Sequence, residues 1–150
     1  MRNSGCKEII IGMESGSQKI LNNLRKGTTV KQNLIAMNMI KHHMQLKVGI
    51  IVGSPGETLE TVEETKELLK QCPPDYWNVS TFTPFPGSDV WNNPEQFDIK
   101  ILTKDISQYQ MIGKDLKGTV VVETKEMTKS DIEKARDELI NLLTPISNKS

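Results

Sequence analysis

The sequence predicts an α/β fold built on a parallel sheet, and three observations carry that expectation. Three short, nearly continuous apolar runs stand in order: KEIIIGM (7–13), KVGIIVG (47–53) and YWNVSTFT (76–83). The stretches between them are long enough for helical crossovers and carry apolar residues at helical spacing, which parallel neighbours require. The first two runs each end in a loop of glycine, serine and glutamate that opens a helix. Consecutive right-handed units of this kind build either an open doubly wound sheet or a barrel. In both, ligands meet the C-terminal ends of the strands.

Each element has its own signal. KEIIIGM is a short β-branched run and reads as a strand buried on both faces. SQKILNNLRKG (17–27) then places Ile20, Leu21 and Leu24 on one helical face, with Ser17 as N-cap and Gly27 as the left-handed stop. A second helix follows at once. Thr29 and Gln32 have capping-box spacing, Val30, Leu34, Met37 and Ile40 form the apolar stripe, and the helix is expected to run to about Met44. KVGIIVG is the second strand, and SPGET turns it into a helix capped by Thr58, with Leu59, Val62, Leu68, Leu69 and Cys72 as the expected buried positions. Glu60, Glu63 and Glu64 crowd its first turns, where the helix dipole favours negative charge. Cys72-Pro73-Pro74 ends that helix, because a residue before proline is driven out of helical geometry. YWNVSTFT is the third strand, closed by the proline-glycine turn PFPGSD.

After Trp91 the character changes. NNPEQFD reads as a polar linker, and IKILTKDISQYQMI and TVVVET, separated by GKDLKG, read as a β-hairpin or two short strands. MTKSDIEKARDELINLL is an amphipathic helix with Ile132, Ala135, Leu139 and Leu143 in line, Thr128 or Ser130 as cap and Pro145 beyond its end. The tail ISNKS is expected to fray. Two regions follow from this: 1–92, a parallel βα unit, and 93–150, a hairpin-plus-helix extension. At the other end, Gly5 reads as the cap of a helix of which MRNS is the last piece, and the first of three parallel strands leaves a bare sheet edge.

Composition narrows the function. Nineteen basic and nineteen acidic side chains cancel, and no block of like charge stands out. That balance gives no electrostatic support for a nucleic-acid or anionic-membrane partner. The apolar runs fall far short of the ~20 residues of a membrane span, and the N-terminus lacks the apolar core of a signal peptide, so the expected location is cytoplasmic. Cys6 and Cys72 share no metal-ligand spacing with His42 or His43 and read as ordinary thiols. Met13, Met37, Met39 and Met44 read as packing residues.

The two loops carry the chemistry. Neither matches a P-loop, since no lysine follows the glycines, and each carries a carboxylate, Glu14 or Glu57, that would repel a phosphate. Carboxylates with neighbouring hydroxyls suit a sugar diol, an ammonium or another cationic centre. Glu14 and Ser15 would accept hydrogen bonds from ribose hydroxyls; the plainer reading of Glu14 is a solvated turn residue. Glu57 stands just before an N-cap, where it would only satisfy backbone N–H groups. Gly12, Gly16, Gly53 and Gly56 are, on the same plain reading, turn glycines.

The residues as they stand resemble a known family. SGCKEIIIGMESGSQKILNNLRKG resembles the fourth strand and helix of the radical S-adenosylmethionine (radical SAM) domain. KVGIIVGSPGETLETVEET resembles the fifth, and YWNVSTFTPFPGSDVW the sixth strand and its exit, in the right order over residues 3–92. The style is that of the branch associated with cobalamin-binding domains and of the methylthiotransferases. The resemblance implies the C-terminal half of a partial, TIM-like six-strand (β/α) barrel. It also implies two cofactors in the complete enzyme: S-adenosylmethionine (SAM), and a 4Fe–4S cluster held by a CxxxCxxC motif near the first strand. There, reductive cleavage of SAM gives a 5′-deoxyadenosyl radical that abstracts hydrogen from a substrate.

By position, Gly12, Glu14 and Ser15 would lie near the SAM ribose. Gly53, Gly56 and Glu57 would form the fifth-strand turn, Ile51 would lie near the adenine, and the backbone of Phe82, Thr83 and Pro84 would flank the same base. GIIVGSPGE (49–57) carries one residue more than the family's frequent GxIxGxxE. This chain has no CxxxCxxC, so alone it binds no cluster and is expected to be inactive. The implied partner is the preceding half of the barrel, from the same gene or a separate chain. The alternatives are a non-catalytic remnant that self-associates or docks through its open sheet edge, and an unrelated domain for a nucleoside-like ligand.

Overall fold

The computed structural model describes residues 5–109 and 118–147. The helix remnant expected at residues 1–4, most of the GKDLKG turn and the end of the tail lie outside the described residues. Three parallel strands, β1 (Glu8–Glu14), β2 (Gln45–Val52) and β3 (Tyr76–Thr81), form a sheet in that order. The crossovers are α1 (Gln18–Asn23) with α2 (Val30–Lys41), then α3 (Leu59–Gln71). The expected α/β architecture with a parallel sheet is the one observed.

The strand β2 alternates strictly, while the end of β3 is buried at Val79, Ser80 and Thr81 alike. Leu46, Val48, Ile50 and Val52 of β2 and Val79 of β3 are buried under the helices. In register with them on the other face lie Ile10, Lys47 and Tyr76, then Gly12, Gly49 and Asn78, then Ile51 and Ser80. That second face is open. The strand β1 is therefore not buried on both faces as its composition suggested: Ile10 is 62% exposed. A β-branched run shows propensity for a strand but not what covers it, and β1 is an edge strand among the described residues.

Helix ends follow local chemistry. Thr29 with Gln32 and Thr58 with Thr61 both close capping boxes. Ser17 occupies the N-cap of α1 but makes no side-chain cap bond. The left-handed stop of α1 is Arg25 (φ +51), not Gly27. Lys26 N–H bonds Leu21 O and Arg25 N–H bonds Asn22 O, both at 3.0 Å, which is a Schellman motif with arginine at the glycine position. The helix α2 ends at Lys41, short of Met44, with His42 as C-cap. Leu59, expected in the core, is 53% exposed; it is the first residue of α3, one turn before the buried Val62. Met39 is likewise exposed.

Beyond β3 the expected polar linker is ordered. A short helix α4 (Asp89–Asn92) leads into a 3₁₀ turn at Pro94–Phe97. The strand β4 (Ile99–Ile101) then pairs antiparallel with β5 (Val122–Thr124). These are two short strands joined by a long excursion, not a tight hairpin. The last helix, α5 (Lys129–Ser147), is capped by Thr128 and Asp131, and its residues Ile132, Ala135, Leu139 and Leu143 are buried in the core shared with the sheet. It runs through Pro145, expected beyond its end.

One contact ties β1 to α3. A Cβ on Gly16 would stand 2.5 Å from Thr65 Cα, so only glycine fits there without moving backbone. Gly16→Ala should cost about 1–3 kcal/mol of stability by overpacking. Urea unfolding of the two proteins checks this; an equal midpoint and slope would show that the loop yields freely.

Candidate functional site at the strand ends

At the end of β1 the register shifts between Gly12 and Glu14, and Met13 turns fully into the core. Asn33 of α2, itself buried, donates its Nδ2 to Met13 O at 3.3 Å. Ser15 N–H closes back on Met13 O at 2.8 Å around Glu14, which sits at φ +62. A glutamate held in the left-handed region costs about 1–2 kcal/mol relative to an ordinary conformation. The turn lifts the Glu14 carboxylate over Gly12: a Cβ there would meet Glu14 Oε1 at 2.4 Å and Lys26 Nζ at 3.1 Å. Lys26 Nζ donates to Glu14 Oε1 at 2.7 Å. Thus Gly12 and Glu14 share one spot on the open face, with an ammonium beside them.

Ser15 lies elsewhere. It is 1% exposed, accepts from Ser17 N–H at 3.1 Å and pairs with Thr65 Oγ1 at 3.2 Å. Because the Thr65 hydroxyl donates to Thr61 O at 3.1 Å, the Ser15 hydroxyl is the donor between them. Its proton is spent on α3, and its role here is to hold the loop.

The loop after β2 is tied just as firmly. Gly53 (φ +84) and Gly56 (φ +77) take left-handed turns that an L side chain resists. A Cβ on Gly53 would touch Ile132 of α5 at 3.0 Å. Asn23 of α1 donates to Pro55 O at 2.9 Å, joining this loop to the first one. Glu57 is 2% exposed and turned inward, its Oε2 accepting from the N–H groups of Gly53 and, at 3.3 Å, of Ser54. Burial pushes its carboxyl up to about 7, against the pull of those two donors. Ile51 stays half-buried on the open face beside Ser80. Thr83, half-buried past β3, donates its hydroxyl to Thr81 O at 3.1 Å.

So the structure gathers Gly12, Glu14 and Ile51 on the open face near the strand ends, while Ser15 and Glu57 point into the packing around them. Lys26 is the group that sequence reading missed. It reaches Glu14 because the Schellman turn folds the chain back after α1, and no spacing rule flags that return. A cleft of about 710 Å³ lies off the strand ends between α2 and α3, floored by Val30, Leu34 and Leu68 and rimmed by glutamates of α3. Among the described residues no group of three His, Cys, Asp or Glu could hold a metal ion. None of the described helices is long and apolar enough to cross a membrane.

No family model matches the sequence. Among curated proteins, the chain is 36% identical over 92 residues to an uncharacterised methyltransferase of Pyrococcus horikoshii, covering 61% of this chain and 20% of that one. It is 30% identical over 112 residues to the anaerobic magnesium-protoporphyrin IX monomethyl ester cyclase of Rubrivivax gelatinosus (74% and 20%). It is 28% identical over 114 residues to a tRNA-2-methylthio-N(6)-dimethylallyladenosine synthase of a Sulfurihydrogenibium species (74% and 26%). The chain therefore spans between 20% and 26% of the length of these relatives. Among solved structures, the coproporphyrinogen III oxidase of Escherichia coli, described as a radical SAM enzyme, matches 97% of this chain and 28% of its own. The TM-score is 0.64 at 14% identity, a likeness of fold.

Glu57 gives a prediction with a definite sign. Its folded pKa of about 7 lies above the ordinary 4.5, so the folded chain holds a proton that the unfolded chain has released. Stability from this group is complete below pH 4.5 and falls as pH rises to about 7, by about 3 kcal/mol. Urea unfolding at pH 5 and pH 8 should show that loss in the wild type relative to Glu57→Gln; parallel profiles would place the carboxyl in water.

Proposed function

We propose that this chain, which resembles the C-terminal half of a radical SAM domain in sequence and in fold, supplies the nucleoside side of a SAM site. The observation that carries this is the Glu14 carboxylate held over Gly12 at the C-terminal end of β1. The residues fit the group. A carboxylate accepts from both hydroxyls of a ribose, and its left-handed placement is the kind of strain that persists at binding sites. Gly12 and Gly49, adjacent across β1 and β2, leave a floor without side chains. Ile51, one pleat further along the same face, offers an apolar surface to a base. Lys26 fixes the carboxylate from one side. Gly53, Gly56 and Glu57 hold the second loop in shape, Ser15 anchors the first, and Thr83 belongs to the exit of β3 beside the base.

When bound together with an iron–sulfur cluster, SAM supplies the radical chemistry. The described residues of this chain do not fit the cluster. Cys6 precedes β1 and Cys72 ends α3, both at the end of the sheet opposite Glu14. The cluster ligands are then the task of the preceding part of the barrel, in the same or a separate chain. The bare edge of β1, with exposed Ile10, is the surface offered to it. The same edge supports the second reading, an interaction module that docks or self-associates there.

In the enzyme assembled with that preceding half, Glu14→Ala should weaken SAM binding by about tenfold or more, the worth of hydrogen bonds to a charged group. Titration calorimetry measures it, with circular dichroism showing an unchanged fold. Equal affinity would remove Glu14 from the ribose.

A further inference from the structure

The cleft of about 710 Å³ between α2 and α3 takes no part in the strand-end site. Its floor is apolar: Val30 and Leu34, one turn apart on α2, line it together with Leu68 of α3. Its acidic side is regular. Glu60, Glu64 and Glu67 follow one another at helical spacing on α3, with Glu63 beside them, and all four line the cleft. From Glu60 to Gln71 at the far end of the row the helix rises about 16 Å. This charge is not neutralised within the cleft, where Lys31 of α2 is the one base among the lining residues. Lys66 and Lys70 pair with Glu63 and Glu67 at 2.6 Å, yet neither lysine lines the cleft, and Lys66 is shared with Glu138 of α5. Both of these glutamates keep 60% of their side chains exposed. Among the described residues, Glu60 and Glu64 form no ion pair. Like charges four apart, as in Glu60–Glu64 and Glu63–Glu67, repel one another along a helix, so a cation laid along the row relieves them.

We propose that this cleft docks a basic amphipathic helix of a partner protein, its apolar ridge on Val30, Leu34 and Leu68 and its lysines or arginines along the glutamate row. Two arguments fix the occupant. The sign of the rim selects a cation and repels nucleic acid and anionic membrane. The walls are two helices whose interior backbone groups are already bonded within α2 and α3. An extended segment would therefore find no backbone partners there, whereas a helix arrives with its own backbone satisfied and lays a ridge of side chains into the groove. The proposal goes beyond the nucleoside reading and uses neither Glu14 nor Lys26.

The test follows backbone amide resonances of the full 150-residue chain during titration with a synthetic helix of about four turns. That peptide has leucine at every third or fourth position, lysine flanking the leucines and alanine elsewhere. Two matched peptides carry glutamate for lysine, or serine for leucine. The lysine–leucine peptide should shift the amides of residues 30–34 and 60–71, and each matched peptide should bind about tenfold more weakly or worse. Glu60→Lys with Glu64→Lys, both at exposed side chains, should lower its affinity about tenfold, since two attractive rim pairs become repulsive. Lys31→Glu removes the one base of the cleft and should raise the affinity about threefold. Glu95→Lys with Glu126→Lys makes the same change of net charge at exposed positions away from the cleft and should leave the affinity as it is. Equal losses in the two double variants, a glutamate or serine peptide that binds as well, a Lys31→Glu variant that binds no tighter, or shifts centred elsewhere would each overturn the proposal. So would a wild-type dimer that the Glu60→Lys, Glu64→Lys change dissolves, because the cleft would then belong to a second copy of this chain. None of the peptides contains a nucleoside, so the outcome is separate from that of the Glu14 experiment.

Discussion

The hydroxyl of Thr65 is the point on which the candidate site depends. It donates to Thr61 O inside α3, accepts from Gly16 N–H at 2.9 Å and receives the Ser15 hydroxyl. A threonine that bonds back to its own helix presents its oxygen outward at a fixed angle. Here that angle meets a loop with no side chain at Gly16. The strand end is thereby pinned to α3, four elements further along the chain, which holds Glu14 in its left-handed turn. A buried hydroxyl network of this kind is rigid because every member is satisfied.

From that anchor the rest follows in layers. The helix face of the sheet is closed by α2, α3 and α5, while the other face keeps glycines and small polar groups in register. The segments after the first two strands are tied down: Asn23 to Pro55, Ile132 of α5 against Gly53, and Lys26 back to Glu14. Among the described residues, two of the three non-glycine residues at positive φ, Glu14 and Arg25, lie between the end of β1 and the start of α2. Backbone strain concentrated there, on a scaffold otherwise regular, sets that end of the sheet apart.

Much of the fold was legible because its signals are local. Capping boxes at Thr29 and Thr58, apolar runs and proline stops depend on neighbours in the chain, and they were read at nearly their observed places. What was misread depends on distant partners. The burial of β1 hangs on what covers Ile10. The end of α1 fell to Arg25 rather than Gly27 because the returning chain, not propensity, selects the left-handed residue. Within the site, Glu14 and Gly12 announced themselves by motif. Ser15 carried the same motif, yet its hydroxyl faces α3, because only the fold brings Thr65 beside it. Lys26 carried no signal at all.

The most direct test of the account is the response of the chain to a ribose diol. Isotope-labelled protein titrated with adenosine should show amide shifts at residues 12–15 and 49–51, and 2′,3′-dideoxyadenosine, which lacks the diol, should leave residues 12–15 nearly unmoved. Equal shifts from the two nucleosides, or shifts confined away from the end of β1, would contradict the claim that the Glu14 carboxylate is placed to hold a ribose.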